Sequence, residues 1–574
     1  MQKIFLPLLL TVSTTLFSQH ITTRFEQSKG TQTPAYFEII DWWQKLDTKS
    51  GKVKMLTMNM TDAGYPLRLV VVANNGDFNF GHIRKNNKRI ILINNGIHPG
   101  EPDGIDASML LARDIVIGKY KIPDNIVLAF IPVYNIGGCL NRSAYYRVDQ
   151  NGPEEFGFRG NSQNLDLNRD FIKCDSKDAR SFTEIFHLLD PDVFIDNHVS
   201  NGADYQHVMT LLTTQHTKLG GVMGEYTSKE FEPALYGLMK EKGFDLVPYV
   251  NVWGDTPENG WQEYWDSPRY ASGYAALWHT FSFVPESHML KPYNQRVKAT
   301  YALMQSFIEF TAKNSEKIKQ LREQTKQYVK TATDFPIRWA IDKSVFKEIL
   351  YKGYESGKRP SEVSGLPRLY YDRNKPYEKT VRIFNHFPAK EFVKKPNAYV
   401  IPQGWWKVIE LLKLNKVQMT QLKKDTLIEV EFYKIEDYKT MPRQYEMHHL
   451  NSDVKLATAT GKLKFSKGDW YIPLNQVANR FLIETLEPRG EDSYFAWNYF
   501  DAILGQKEGY SAYAFEDIAA EYLKTNVDLK ARLEQRKVTD TVFAKNGRAQ
   551  LNFVYQNSPW HETALMQYPV YRIL

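Results

Sequence analysis

Two histidines and two carboxylates, each placed just beyond an apolar run, are the residues of this sequence best suited to chemistry. His98 and Glu101 stand in NNGIHPGEPDG (94–104), directly after RIILI. His198 follows VFID, and Glu286 follows FSFVP. Two imidazoles and one carboxylate, with a fourth position left to water, form the usual catalytic zinc arrangement. Such an ion acidifies a bound water and polarises a carbonyl, and a free carboxylate close by serves as general base. His98, Glu101 and His198 are therefore the candidate ligands of one Zn2+, and Glu286 is the candidate base. The competing reading of the first loop is an ordinary strand-to-helix turn, which its three glycines and two prolines would equally suit.

A further polar stretch, FRGNSQNLDLNRDF (158–171), brings Arg159, Asn168 and Arg169 close in sequence. Guanidinium and amide groups suit a carboxylate or a developing oxyanion. Taken alone, the stretch reads as a solvated loop. No Gly-x-Ser-x-Gly elbow, Walker A loop or His-Glu-x-x-His motif is present to suggest another chemistry.

In type and order, HPGE, DLNRDF, DNH and PESH resemble the motifs of the zinc carboxypeptidases of the M14, or carboxypeptidase A-like, family. FRGNSQNLDLNRDF is similar to the carboxypeptidase N/E-like branch, where an Arg stands nine residues before the Asn of the Asn-Arg pair. The likeness spans about residues 35–315. It implies that His98, Glu101 and His198 hold zinc and that Glu286 activates water and passes its proton to the leaving amine. It implies that Arg159 stabilises the oxyanion and that Asn168 and Arg169 grip the free carboxylate of a C-terminal residue. The family also closes a Tyr over the substrate. Tyr270 and Tyr274 are available for this, at a spacing shorter than in the pancreatic enzymes, and Tyr274 is preferred. The chain departs from the family around the base, where PESH replaces the usual Phe-Thr-x-Glu context. His288 in that motif is read as structural, and His207 in DYQHVM as structural or as a partner standing behind the metal ligands.

These groups need a frame that gathers loop residues at one edge. VKMLTM, LRLVVVAN, RIILIN and NIVLAFIPV read as strands, the last two so continuously apolar that both faces should be covered. GIDASMLLARDIVIGK carries apolar residues at helical spacing between two of them. KDARSFTEIFHLLD and NQRVKATYALMQSFIEFTAKN read as further helices, and PDVFIDNH and HTFSFVPE as strands. The expected fold is α/β, a mixed and largely parallel sheet flanked by helices. In such sheets ligands bind beyond the carboxyl ends of the strands. Near residue 330 the texture changes to short strands and loops, with a clean alternation in DTLIEVEFY and amphipathic helices in GWWKVIELLKL and FEDIAAEYLK. The expected organisation is a signal peptide at 1–18, a catalytic domain at 19–330 and a β-rich α+β C-terminal domain at 331–574.

The signal peptide is read from MQKIFLPLLLTVSTTLFSQ: a lysine, an apolar run too short to span a bilayer, then small residues. No later stretch is apolar for long enough to cross a membrane, so export without an integral anchor is expected, to the periplasm or the medium. The net charge of +7 is spread over 574 residues with no basic block, which gives no support to a nucleic-acid partner. Aromatic residues make up 14% of the chain, enough to line a groove or fill a large core. Cys139 and Cys174 could pair in an oxidising compartment, and their spacing leaves that open. The expected activity is that of a secreted metallocarboxypeptidase acting on peptides with a free C-terminal carboxylate. The alternative is a related amidohydrolase acting on cell-wall peptides or N-acyl amino acids. A binding protein on an inactive peptidase scaffold would be expected to lack a ligand or the base, and all four residues are present. Oligomeric state is not legible.

Overall fold

The computed structural model describes residues 21–200 and 202–574, so the expected signal peptide at 1–18 lies outside the described residues. Among the described residues no helix is long and apolar enough to cross a membrane.

The early apolar runs form strands β1 (Val53–Met60), β2 (Pro66–Ala73), β3 (Arg89–Asn94) and β4 (Ile126–Ile131). Further along come β5 (Val193–Asp196), β6 (His198–Ser200), β7 (Met209–Thr213), β8 (Leu246–Pro248) and β9 (Phe281–His288). They form one sheet in the order β1-β2-β4-β3-β5-β9-β7-β8, with β6 continuing beside β9. β4, β3, β5 and β9 run parallel, while β1, β2 and the β9–β7 pair are antiparallel. The sheet is thus mixed, with its parallel part in the middle.

Every residue of β3 and β4 is buried, because both faces are covered. Successive side chains alternate between those faces. Val70, Val72, Ile91, Ile93, Leu128 and Phe130 pack under helices α1 (Tyr36–Lys49), α2 (Asp103–Val116) and, later in the chain, Tyr293–Lys313. Leu69, Val71, Ile90, Leu92, Val127 and Ala129 face α3 (Lys177–Leu189). α3 begins at Ser176, whose side chain accepts the Ala179 N–H, and ends at Asp190 in the left-handed region, φ 40°.

This second face does not close within the first half of the chain. Its core runs on into Tyr399, Leu411, Phe481 and Trp497. The seam is polar as well as apolar. Asn479 Nδ2 donates to Val329 O at 2.9 Å, and Arg269 Nη2 lies 2.6 Å from Asp492 Oδ1. Trp278 and Phe481 pack with ring centroids 5.1 Å apart.

The helix Ser315–Thr331 ends where the texture of the sequence changes. Beyond it lie a long hairpin, Lys347–Pro360 with Pro367–Phe384, and a six-stranded sheet built around Thr426–Thr440 and Asn451–Phe465. The alternation in DTLIEVEFY falls in the first strand of the second hairpin, with Val430 and Phe432 buried. Helices between Ala512 and Gln556 enclose a small core of their own.

Cys139 and Cys174 are both buried and free. One belongs to the core on each face of the sheet, so the possible disulfide is not formed.

Asp106 on α2 is fully buried beside the Tyr293 hydroxyl, and burial pushes its carboxyl up from 3.8 to about 7. A carboxyl raised by folding favours the fold at low pH and works against it as the pH climbs from the unfolded value through the folded one. Asp106→Asn should therefore flatten the fall in stability between about pH 4 and pH 7. Relative to the native protein it should gain up to a few kcal/mol above that window. Melting temperatures of the two proteins at pH 5 and pH 8 test this. An equal difference at both values would show that Asp106 does not carry the effect.

Candidate metal centre

β3 ends at Asn94, and the loop that follows turns back at Gly96, φ 62°, a conformation that side chains rarely adopt. Gly104, in the first turn of α2, lies so close to Asn197 that an added Cβ would sit 2.5 Å from the Asn197 Cβ. The glycines thus let the β3 loop and the β5–β6 junction approach each other. Glu101 N donates to His98 O at 2.8 Å, closing a turn that aims both side chains the same way.

His198 opens β6, two residues beyond the end of β5, and pairs in register with Glu286 of β9. The three strand ends converge. His198 Nδ1 lies 3.1 Å from Glu101 Oε2, and His98 Nδ1 lies 3.3 Å from Glu101 Oε1. The two imidazole centroids are 4.9 Å apart. One ligand atom from each of His98, Glu101 and His198 falls within 4.8 Å of the others, and all three residues are buried.

Each imidazole is steered from behind by a carboxylate. His98 Nε2 lies 2.9 Å from Asp166 Oδ1, and His198 Nε2 lies 3.0 Å from Asp196 Oδ2. A proton on each Nε2 satisfies those carboxylates and leaves both Nδ1 lone pairs facing Glu101. This donor set fits a zinc ion: borderline nitrogen and hard oxygen, no thiolate, and outer carboxylates that fix the rings.

Neighbouring charges shift the titration of these groups, and a bound dication would displace the proton they favour on His198. Burial alone would raise the Glu101 carboxyl, but Arg147 and His98 outweigh it and hold it well below the usual range. Burial alone would lower His198, yet Asp196 and Glu101 raise it well above the usual value. Glu286 is pushed up to about 8 by burial, with His198 opposing and Glu101 adding to the rise.

These residues line a cavity of about 460 Å3 that also takes in Arg159, Asn168 and Arg169. Asp166 organises the second group. Its side chain accepts from Arg159 Nε and from Asn168 N, each at 2.9 Å. The Arg169 guanidinium lies 4.6 Å above the Tyr270 ring. All the residues expected from sequence to hold metal, act as base or bind substrate therefore meet in one cavity, with one exception.

The exception is Tyr274. It is fully buried, 5.3 Å from the Phe186 ring, and its hydroxyl donates to Asn415 Oδ1 at 2.7 Å. Tyr270 lines the cavity instead. Tyr270 stands just before the helix Ala271–Leu277 in extended backbone, so the four-residue spacing does not put the two rings on one face. His207 and His288 are structural. His207 Nε2 accepts the Lys352 N–H, and His288 stacks on Tyr205 at 4.0 Å with Asp204 beside it.

Sequence reading missed Arg147, whose Nη1 donates to Glu101 Oε1 at 2.8 Å, and Asp266, a buried carboxyl on the cavity wall pushed up to about 6 by burial. It also missed Asp196 and Asp166. Asp196 had a signal, since a residue two before His198 near a strand end shares its side. The contact of Asp166 with His98 spans 68 positions and had none.

Residues 39–199 match the family model for zinc carboxypeptidases, Peptidase_M14, a stretch that contains His98, Glu101 and His198. That stretch is a zinc carboxypeptidase domain of the M14 type. The domain makes the chain a metallopeptidase. No curated protein matches it. Among solved structures it is similar to a metallo-carboxypeptidase of Burkholderia cenocepacia, at 15% identity and TM-score 0.35, over 48% of this chain and 68% of the other. It is also similar to a metallo-carboxypeptidase of Pseudomonas aeruginosa, at 12% identity and TM-score 0.35, over 49% of this chain and 68% of that one. The family match stops at residue 199, and Glu286, beyond it, stands beside His198 through the pairing of β9 with β6.

Proposed function

We propose that this zinc carboxypeptidase relative removes single residues from the C-terminus of peptides, and that residues 19–330 carry the chemistry while residues 331–574 pack against them. The observation that carries the reading is that Asn168 and Arg169 open into the same cavity as the metal cluster and Glu286. A carboxylate held by that pair would present its own peptide bond to the cluster, whereas an internal bond offers no such handle.

In this reading His98, Glu101 and His198 hold one zinc ion. When bound, zinc supplies Lewis-acid polarisation and acidification of water. Glu286 takes the proton of the attacking water and delivers it to the leaving amine. Arg159, fixed by Asp166, faces the developing oxyanion. Arg169 and Asn168 bind the terminal carboxylate, with Tyr270 supporting the Arg169 guanidinium from below. Secretion is part of the proposal and rests on residues 1–18.

The test uses matched peptides with free and amidated C-termini, incubated with zinc-loaded protein and followed by mass spectrometry. The free peptides should lose one residue at a time. The amidated ones should be cut with a kcat/KM at least about a hundredfold lower, because the site's buried charges are then left unpaired. Equal cutting of both, or cleavage at internal bonds, would overturn the exopeptidase reading. Release only from cell-wall amides or N-acyl amino acids would move the substrate to the amidohydrolase alternative.

A further inference from the structure

The strands Thr426–Thr440 and Asn451–Phe465 are joined by residues 441–450, and this connection reaches the metal centre. At its tip Tyr445 and His448 exchange both backbone hydrogen bonds, at 2.8 and 3.0 Å. The two residues between them, Glu446 and Met447, both take positive φ, 47° and 70°. A two-residue turn of this kind favours Asn-Gly, and a Glu-Met pair is poorly suited to it.

Contacts to the catalytic half hold the turn in place. Glu446 Oε2 accepts the backbone N–H of Asp166 at 3.0 Å. His448 Nε2 lies 2.9 Å from Asp175 Oδ2. The Tyr445 ring lies nearly parallel to Trp497 and 5.6 Å beneath the Arg269 guanidinium. Asp166 is the residue whose side chain meets His98, Arg159 and the N–H of Asn168. Glu446 therefore holds the backbone of the one residue that links the metal ligand, the oxyanion arginine and the carboxylate grip.

We propose that Glu446, supplied by the C-terminal half, is a positioning residue of the active site that fixes the Asp166–Arg169 turn. The proposal rests on the carboxypeptidase reading above. A turn residue kept only for stability would be replaced with profit by Asn-Gly. A positioning residue would not.

Three variants test it: Glu446→Ala, Glu446→Gln, and Glu446→Asn combined with Met447→Gly. The readouts are kcat, KM, melting temperature and hydrogen exchange of the backbone at residues 161–170. Glu446→Ala should raise KM about tenfold, as loss of one charge-assisted hydrogen bond allows, and quicken exchange at 161–170. Glu446→Gln should restore both, since its amide oxygen still accepts the Asp166 N–H. The double variant should melt no lower than the native protein and still show the raised KM and the faster exchange. Native KM and exchange in Glu446→Ala would overturn the proposal, as would a double variant with both restored. A native protein that releases no C-terminal residue would overturn the carboxypeptidase reading. Exchange at 161–170 would then still decide the contact, with unchanged protection in Glu446→Ala overturning it.

Discussion

Glu286→Gln should bind one zinc ion as the native protein does and turn over about a thousandfold more slowly, the middle of the range for losing a positioned acid–base group. Glu286 lies in the cavity but outside the three-residue cluster whose ligand atoms converge, so its loss should spare the metal. Gln keeps the shape of the side chain and cannot take a proton from water. KM should change little, since the groups proposed to bind substrate are untouched. Zinc content with steady-state kinetics on one peptide settles it. A variant retaining more than about a tenth of kcat would remove Glu286 from the base role. A variant without zinc would make it a ligand.

His198→Ala should weaken zinc binding by more than a hundredfold. Loss of an outer carboxylate costs roughly 10- to 100-fold, and loss of a ligand should exceed it. Asp196→Asn supplies the comparison, because Asp196 touches His198 Nε2 and also accepts from Asn94 Nδ2 at 2.9 Å. It should fall within the smaller range. His207→Ala and His288→Ala remove buried imidazoles whose partners are Lys352, Asp245, Asp204 and Tyr205, and zinc affinity should stay native. Competition with a chromophoric chelator orders all four. Native affinity in His198→Ala, or an equal loss in His288→Ala, would mean that the ion sits elsewhere.

The sheet was legible in the sequence for a physical reason. Strands covered on both faces need uninterrupted apolar runs, and RIILIN and NIVLAFIPV carry them. His98, Glu101 and His198 stand out in the sequence because each follows such a strand and parallel strand ends gather at one edge, whereas Glu286 lies inside β9 and meets them through its pairing with His198. Tyr274 was misplaced because nothing in SPRYASGYAALW shows that Tyr270 precedes the helix in extended backbone while Tyr274 lies within it. Arg147, Asp166 and Glu446 act through contacts across long stretches of chain, between side chains common on any polar loop, and no local pattern marks them. The long hairpins were hidden for a related reason. Lys347–Pro360 and Pro367–Phe384 are largely exposed strands, so burial imposes little alternation on them.

The apolar face that runs from Val71 and Phe186 to Phe481 and Trp497 also bears on how the chain is made. A ribosome working from the N-terminus delivers this core long before the residues that complete its cover. Until the C-terminal half emerges, the side of the core where Trp278 meets Phe481 and Tyr274 meets Asn415 stays open to water and to other chains. Such exposure invites aggregation, so the protein gains from being kept unfolded until synthesis is nearly finished. Passage through an export channel as an unfolded polypeptide would meet that need, and the metal site would then be assembled only where the chain is released.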